Sequence, residues 1–300
     1  MLRRSSRRVG YRVCRRLYRD LYPDMGRSLL MAGTARSGTT WLGDLLASQR
    51  PTRMMFEPFH PEEVPAYGGY SRFLYLRPEA RDARLEGYCE ALFTGRIRDL
   101  WIDRTVDVLR PKARIIKEVR GNLLLKWLSV RFPELPLVLL LRHPCAVVLS
   151  RMELGWDTDA DIDPMLAQKA LVDDHLQDQL DLIRAARHDE EKHAIIWAIH
   201  NAVPLAQFVG EGLRGLHVIR YEDFIADTPA RLEGLLDAVG WNFERVVPER
   251  FRRPSRTSSL VTALSGAEVA NKRWEEKLSR VQVDRILRVV EAFGLSHLYP

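Results

Sequence analysis

The 300-residue chain has little cysteine and no long apolar run. Its three cysteines, Cys14, Cys89 and Cys145, are odd in number and lie far apart, which excludes a disulfide framework and a zinc site built on cysteine pairs. The longest apolar stretch, Leu135 to Leu141, is far shorter than the roughly 18 residues that a membrane-spanning helix needs. The sequence therefore predicts a cytoplasmic protein without a membrane span.

Net positive charge is also absent outside the N-terminus. The chain carries a net charge of +6, but residues 1–27 hold nine arginines and two aspartates, a net of +7, which leaves −1 for all other residues. A charge-balanced body offers no extended basic face for a polyanion. We therefore expect no nucleic-acid partner.

The basic N-terminal tail, residues 1–27, has no apolar core of the kind found in secretory signals. Its apolar residues recur at helical spacing among arginines: Val9, Val13, Leu17 and Leu21. This pattern fits a solvated helix, peripheral contact with an anionic membrane surface, or an arginine-rich organelle transit peptide. In each case we expect the tail to be dispensable for chemistry.

The rest of the chain, residues 28–300, contains no Gly/Ser linker and is predicted to be a single domain. Apolar runs bounded by turn residues predict buried strands at Ser28–Ala32, Arg53–Phe56, Arg114–Val119, Leu137–Leu141 and Leu216–Ile219. Helical patterns lie between them at Thr40–Ser48, Leu123–Arg131, Ala146–Met152, Pro164–Arg187 and Pro229–Val239. The alternation predicts a three-layer α/β fold, with a mainly parallel central sheet covered by helices on both faces. Ligands should bind beyond the carboxyl ends of the strands.

A turn rich in glycine and hydroxyl side chains follows the first predicted strand and opens a helix. Gly33 and Gly38 have the spacing of a Walker loop, but Thr39 stands in place of the lysine that such a loop requires. Arg36 is the cation inside the turn. Backbone N–H groups and hydroxyls at a helix N-terminus form a cradle for an anion. The segment predicts a phosphate site in a P-loop-like fold.

A second anion site is indicated after the strand Leu137–Leu141. Arg142 follows this strand directly, and Ser150 lies about two turns along the next helix. Both side chains can face the crevice at the carboxyl edge of the sheet. We expect them to act together with the phosphate loop.

These motifs resemble those of sulfotransferases that use 3′-phosphoadenosine 5′-phosphosulfate (PAPS). The segment from Arg36 to Leu42 resembles the family's 5′-phosphosulfate loop, and Arg142 with Ser150 matches its 3′-phosphate motif, with His143 where aspartate or asparagine is usual. The resemblance implies that the following residues bind PAPS: Arg36, Ser37, Gly38, Thr39, Thr40, Trp41, Arg142, Ser150, Tyr221 (near the adenine), and Arg256 and Lys272 (in a closing loop). It implies no metal.

Members of this family carry the general base at one of two positions, after the third strand or after the second. Lys117 matches the lysine of a Lys-x-His motif, but Val119 stands where that histidine would be. Glu57, in a Glu-Pro pair after the second strand, instead resembles the glutamate base of Golgi-type carbohydrate sulfotransferases. We therefore expect Glu57 to be the base, with Arg36 and Lys117 as catalytic cations and His60 as the rival base. The same resemblance implies a carbohydrate or lipid-linked hydroxyl acceptor.

Two other functions stay open on the residues alone. A P-loop kinase of a nucleotide or small molecule would need the missing loop lysine, and an acidic metal ligand where Arg142 ends the fourth strand. A non-catalytic nucleotide-binding or membrane-surface module fits the basic tail. It does not account for a candidate base beside the phosphate loop.

Overall fold

The structure is a computed structural model that describes residues 16–210, 212–241 and 271–299. Its centre is a sheet of five strands in the order β2-β3-β1-β4-β5, in which every neighbouring pair is parallel. The strands are β1 (Ser28–Ala32), β2 (Thr52–Phe56), β3 (Ala113–Glu118), β4 (Leu137–Leu141) and β5 (His217–Arg220). Each strand lies within one residue of its predicted bounds, which confirms the predicted α/β class.

Helices connect the strands and flank the sheet. They are α1 (Thr39–Ala47), α2 (Ala83–Phe93), α3 (Leu125–Arg131), α4 (Pro144–Met152), α5 (Asp159–Leu166), α6 (Leu180–Ala185), α7 (Asp189–Val209), α8 (Tyr221–Ala226), α9 (Thr228–Ala238) and α10 (Arg280–Ala292). Residues 271–277 are helical as well. Within the described ranges, no helix combines the length and the apolar character that crossing a membrane would need.

The two faces of the sheet have separate cores because side chains alternate along each strand. In β1, Leu30 and Ala32 pack with residues of α2 and α3, whereas Leu29 and Met31 pack with residues of α1 and α9. A further cluster joins α4, α7 and α10. The sheet is thus covered on both faces, as the near-continuous apolar sequence of its strands requires.

The single helix predicted over Pro164–Arg187 is wrong. The chain leaves α5 after Leu166, and Gln168 has an extended backbone. The Gln168 side chain accepts a hydrogen bond from the Tyr75 backbone N–H and donates one to the Phe73 carbonyl, both at 2.8 Å. These contacts with a distant loop interrupt the helix. The chain then forms a single α-helical turn (Lys169–Leu171), a π-helical turn (Val172–Leu176) and a 3₁₀ turn (Gln177–Gln179) before α6 begins.

The end of the basic tail is attached to the body. Tyr18 is buried and donates its hydroxyl hydrogen bond to Asp103 at 2.9 Å. Asp20 forms a two-pronged ion pair with Arg114, at 2.7 and 2.9 Å, and lies 3.5 Å from Arg53. The division between a tail of residues 1–27 and a domain of 28–300 stays a prediction, but these contacts give Tyr18 and Asp20 a structural role in the body.

Candidate active site

The phosphate loop connects β1 to α1 and depends on two glycines. A Cβ atom at Gly33 would lie 2.8 Å from the backbone oxygen of Leu140, so only glycine lets the loop pass this close to β4. Gly38 has a φ of +98°, and a Cβ atom there would lie 2.7 Å from the Tyr221 ring. The loop is therefore pressed against both β4 and α8.

Hydrogen bonds hold the rest of the loop in place before α1 begins at Thr39. The Ser37 hydroxyl donates to the Thr34 carbonyl, and the buried Asn201 of α7 donates to the Thr34 hydroxyl at 3.4 Å. The first α1 residues are Thr39 and Thr40, whose backbone N–H groups belong to the helix end and have no partner within the helix. This end of α1 therefore offers donors and a favourable dipole to an anion.

Arg36 joins the phosphate loop to the second predicted anion site. Its Nε donates to the Ser150 hydroxyl at 2.9 Å, and its carbonyl accepts a hydrogen bond from Arg142 at the same distance. Burial, followed by the nearby Arg142, lowers the pKa of Arg36. Two guanidinium groups held this close would be stabilised by an anion between them.

Arg142 is positioned from several sides. Its guanidinium lies 4.8 Å from the centre of the Tyr221 ring, and its Nε donates to Asn271 at 2.9 Å. The Trp41 ring contacts Tyr221 edge to face at a centroid distance of 5.3 Å. The fold thus brings together Trp41, Arg142 and Tyr221, which come from three separate segments of the chain.

Two C-terminal residues that were not predicted from the sequence make contacts at the site. Asn271 contacts Arg142, and Trp274 stacks on His143 at 4.5 Å with nearly parallel rings. Lys272 is exposed beside Asn271, and Arg256 lies outside the described residues. An amide and an aromatic ring carry no motif of their own, so only their placement in space identifies Asn271 and Trp274.

Glu57 lies at the other side of the same edge, directly after β2. Its carboxylate pairs with the Lys117 ammonium and, at 2.6 Å, with the Arg120 guanidinium, while its backbone N–H donates to the Lys117 carbonyl at 2.8 Å. Burial raises the pKa of Glu57, but the two cations outweigh it and hold that pKa below its ordinary value. Glu57 is therefore a carboxylate at neutral pH. Sequence reasoning missed Arg120.

His60 follows Glu57 by three residues and is nearly buried. Its Nδ1 lies 2.8 Å from a carboxylate oxygen of Glu62, and its ring meets Trp101 edge to face at 5.1 Å. Burial, and then Arg120, lower the pKa of His60 from its ordinary value. The imidazole is therefore neutral at neutral pH and can accept a proton. His60 stays the rival of Glu57 for the role of base.

All these groups meet at one edge because every strand runs in the same direction. Ala32 of β1 is in register with Glu118 of β3, and Phe56 of β2 with Lys117. The residues that follow these strands are consequently neighbours in space. The arrangement places an anion cradle and a paired carboxylate on a common edge, which suits transfer of a charged group to an acceptor.

A family model described as the sulfotransferase family matches residues 29–245. The chain belongs to this family. The matched span contains the phosphate loop, Glu57, Arg142, Ser150 and Tyr221. The protein is therefore an enzyme that transfers sulfuryl groups, and the two alternatives left open by the residues, kinase and non-catalytic module, are not supported.

Solved structures of sulfotransferases are similar to this chain. The sulfotransferase domain from the curacin biosynthetic pathway is 15% identical and the match covers 89% of this chain and 97% of that one, with a TM-score of 0.46. The domain from the Synechococcus PCC 7002 olefin synthase is 17% identical, with coverages of 89% and 94% and a TM-score of 0.45. The sulfotransferase from Alicyclobacillus acidocaldarius is 14% identical, with 89% and 95% covered and a TM-score of 0.43. No curated protein matches this sulfotransferase.

Proposed function

We propose that this sulfotransferase moves the sulfuryl group of PAPS to a hydroxyl group of a carbohydrate or lipid-linked acceptor, with Glu57 as general base. The observation that carries the proposal is the joining of Arg36, Arg142 and Ser150 by direct hydrogen bonds at the edge where Glu57 also lies. The proposal assigns the donor to the first three residues and the acceptor hydroxyl to Glu57.

On the donor side, the phosphate loop binds the 5′-phosphosulfate and Arg142 with Ser150 binds the 3′-phosphate. Arg36 contacts both halves and neutralises the charge that develops on the leaving phosphate. Trp41 and Tyr221 supply aromatic surfaces beside Arg142 for the adenine. Lys272 and Arg256 remain proposed cations of a closing segment. No metal is needed for this charge neutralisation, because guanidinium groups and helix N–H donors provide it.

On the acceptor side, Glu57 accepts the proton of the attacking hydroxyl while the acceptor oxygen bonds to sulfur. The bond between sulfur and the bridging phosphate oxygen breaks, and 3′-phosphoadenosine 5′-phosphate (PAP) leaves with that electron pair. The hydroxyl becomes more acidic as its oxygen bonds to sulfur, so a carboxylate of low pKa can take its proton. Lys117 and Arg120 keep Glu57 ionised and in place.

Arg142 provides the test of the donor site. We expect the protein to bind PAP more tightly than AMP, and Arg142→Ala to lose about 1.5–3 kcal/mol of PAP affinity, the range for hydrogen bonds to charged groups. AMP affinity should change much less, because AMP lacks the 3′-phosphate. Calorimetry with both nucleotides measures this difference.

The comparison of two ligands on one variant separates binding from damage to the fold, since misfolding would weaken both. Arg96→Ala serves as a matched control, because Arg96 is exposed and pairs with Glu90 away from the site. Equal affinity of the wild-type protein for PAP and AMP would contradict the assignment of the 3′-phosphate site.

Two arguments support this acceptor class. The Glu-Pro pair at Glu57 resembles that of Golgi-type carbohydrate sulfotransferases, and an alcohol acceptor needs a base to take its proton. Incubation with PAPS labelled in its sulfuryl group and a cell extract, followed by identification of the labelled product, tests it directly. A labelled saccharide or glycolipid is the expected product. A labelled phenol or amine would contradict the proposed class.

The second part of the proposal is that the enzyme is cytoplasmic and makes peripheral contact with an anionic membrane. Leu17 and Leu21 are 64% and 62% exposed beside the buried Tyr18, and Arg16 and Arg19 are exposed as well. Apolar and basic side chains thus face outward from a segment attached to the body. Both kinds of side chain favour an anionic lipid surface.

Replacing both Leu17 and Leu21 with serine is expected to weaken binding to phosphatidylserine-containing vesicles by at least about 100-fold, because each leucine loses about 1.5–3 kcal/mol of burial in lipid. Turnover on a soluble acceptor should not change. Vesicle sedimentation measures binding, with Val281→Ser as control for an exposed apolar residue on α10. Equal binding of both variants, or binding to uncharged vesicles, would contradict the proposed contact.

A further inference from the structure

Glu118, the last residue of β3, has a fully buried side chain. Its Oε2 accepts a hydrogen bond from the Phe59 backbone N–H at 2.8 Å, and its Oε1 accepts from those of Val119 and Arg120 at 2.7 and 2.9 Å. Among the described residues, no lysine, arginine or histidine forms an ion pair with it. Backbone donors therefore satisfy both oxygens of this carboxyl group, while burial, followed by the nearby Glu57, raises the pKa of Glu118.

These three hydrogen bonds join two loops. Phe59 belongs to the loop after β2, which carries Glu57 and His60, and Arg120 belongs to the loop after β3. The Arg120 side chain in turn pairs with Glu57 at 2.6 Å. One buried carboxyl group thus fixes the backbone on both sides of the Glu57–Arg120 contact.

The loops are also packed tightly where they meet. A Cβ atom at Gly121 would lie 2.8 Å from the Phe59 ring and 2.9 Å from Cγ of Glu118, so there is no space for the loops to shift toward each other. Glu57 itself has a φ of +44°, in the left-handed region that a non-glycine residue adopts at a cost. Such a conformation persists only where the surroundings hold it in place.

We propose that Glu118 is a positioning residue for sulfuryl transfer: its buried carboxyl group holds the loops after β2 and β3 so that Glu57 meets the acceptor hydroxyl at the correct place. This inference rests on the proposed role of Glu57 as base. Lys117, the preceding strand residue, lies on the opposite face of β3 and contacts Glu57 directly, whereas Glu118 acts through the backbone.

The test is Glu118→Gln, which keeps the size of the side chain but places an amide NH₂ against backbone donors. We expect kcat to fall about 10- to 100-fold, because small misplacements of a catalytic group have effects of this size. The KM for the acceptor and the Kd for PAP should change by less than about threefold, because the donor-binding residues do not contact Glu118.

Two further measurements separate positioning from a general structural role. Glu190→Gln removes another buried carboxylate, which pairs with Arg285 at 2.9 Å outside the site, and should lower stability without lowering kcat. The double variant Glu57→Gln/Glu118→Gln should be no slower than Glu57→Gln alone, because Glu118 acts through Glu57. Additive losses would overturn the proposal.

The outcomes also distinguish this inference from the proposed function. A large loss in Glu57→Gln combined with wild-type kcat in Glu118→Gln overturns the positioning role and leaves Glu57 as base. Wild-type kcat in Glu57→Gln overturns the proposed base and the positioning role with it. If Glu118→Gln does not fold, Glu118→Asp, which is too short to reach Phe59 from the same backbone, replaces it, and wild-type kcat in this folded variant overturns the inference.

Discussion

Replacing Glu57 with glutamine is expected to lower the rate of sulfuryl transfer by about 10²- to 10⁴-fold, the usual contribution of a positioned general base. Affinity for PAP should be nearly unchanged, because Glu57 contacts Lys117 and Arg120 rather than the phosphate loop. Glutamine preserves the shape of the side chain but cannot take the hydroxyl proton. Single-turnover rates with saturating PAPS measure the transfer step itself.

His60→Gln, measured in parallel, is the decisive control. A large loss confined to this variant would transfer the role of base from Glu57 to His60. The pH profile adds a second criterion. The cations hold the pKa of Glu57 below its ordinary value, so Glu57 is ionised above that pKa and its contribution is lost only as the pH falls through it. Activity should therefore persist into mildly acidic solution.

Removing Asp20 is expected to destabilise the folded protein by about 3–5 kcal/mol, the cost of leaving a buried charge without its partner. Arg114 is 1% exposed and Arg53 is fully buried, and Asp20 contacts both. Asp103 also pairs with Arg53, at 2.9 Å, so Arg53 keeps one ion-pair partner when Asp20 is absent. Arg114 loses the ion pair that Asp20 provides. Urea unfolding of Asp20→Ala measures the change in the free energy of unfolding.

Asp24→Ala is the matched control, because Asp24 is exposed and its side chain makes surface contacts only. These are an ion pair with Arg27 at 3.6 Å and a hydrogen bond from the Gly26 backbone N–H at 2.9 Å, each worth about 1 kcal/mol. A truncated protein that begins at Asp24 should be at least as unstable as Asp20→Ala, because it also lacks the buried Tyr18 and its hydrogen bond to Asp103. The sequence predicts that the tail is dispensable for chemistry, and this stays a prediction. The contacts of Tyr18 and Asp20 give this part of the tail a separate role in stability. Equal unfolding midpoints for Asp20→Ala and the wild-type protein would contradict this role.

The sequence predicted the features that depend on neighbours in the chain. Buried strands are short apolar runs, so all five were located within one residue, and the phosphate loop was recognised from the order of strand, glycine-rich turn and helix. A helix is harder to place when a distant contact decides its end. Gln168 looks like a helical residue in sequence, and only its hydrogen bonds to Phe73 and Tyr75 show why the helix stops.

The tertiary structure alone decided which side chains pair across the site. Arg36 bonds to Ser150 over a separation of 114 residues, and Arg142 bonds to Asn271 over 129. The strand order places β3 between β2 and β1, and this brings Arg120 and Glu118 against the loop that carries Glu57. Local sequence fixes the type of each residue and the element that carries it. The partner of each residue depends on the order of strands in the sheet, which is set by packing between segments far apart in the chain.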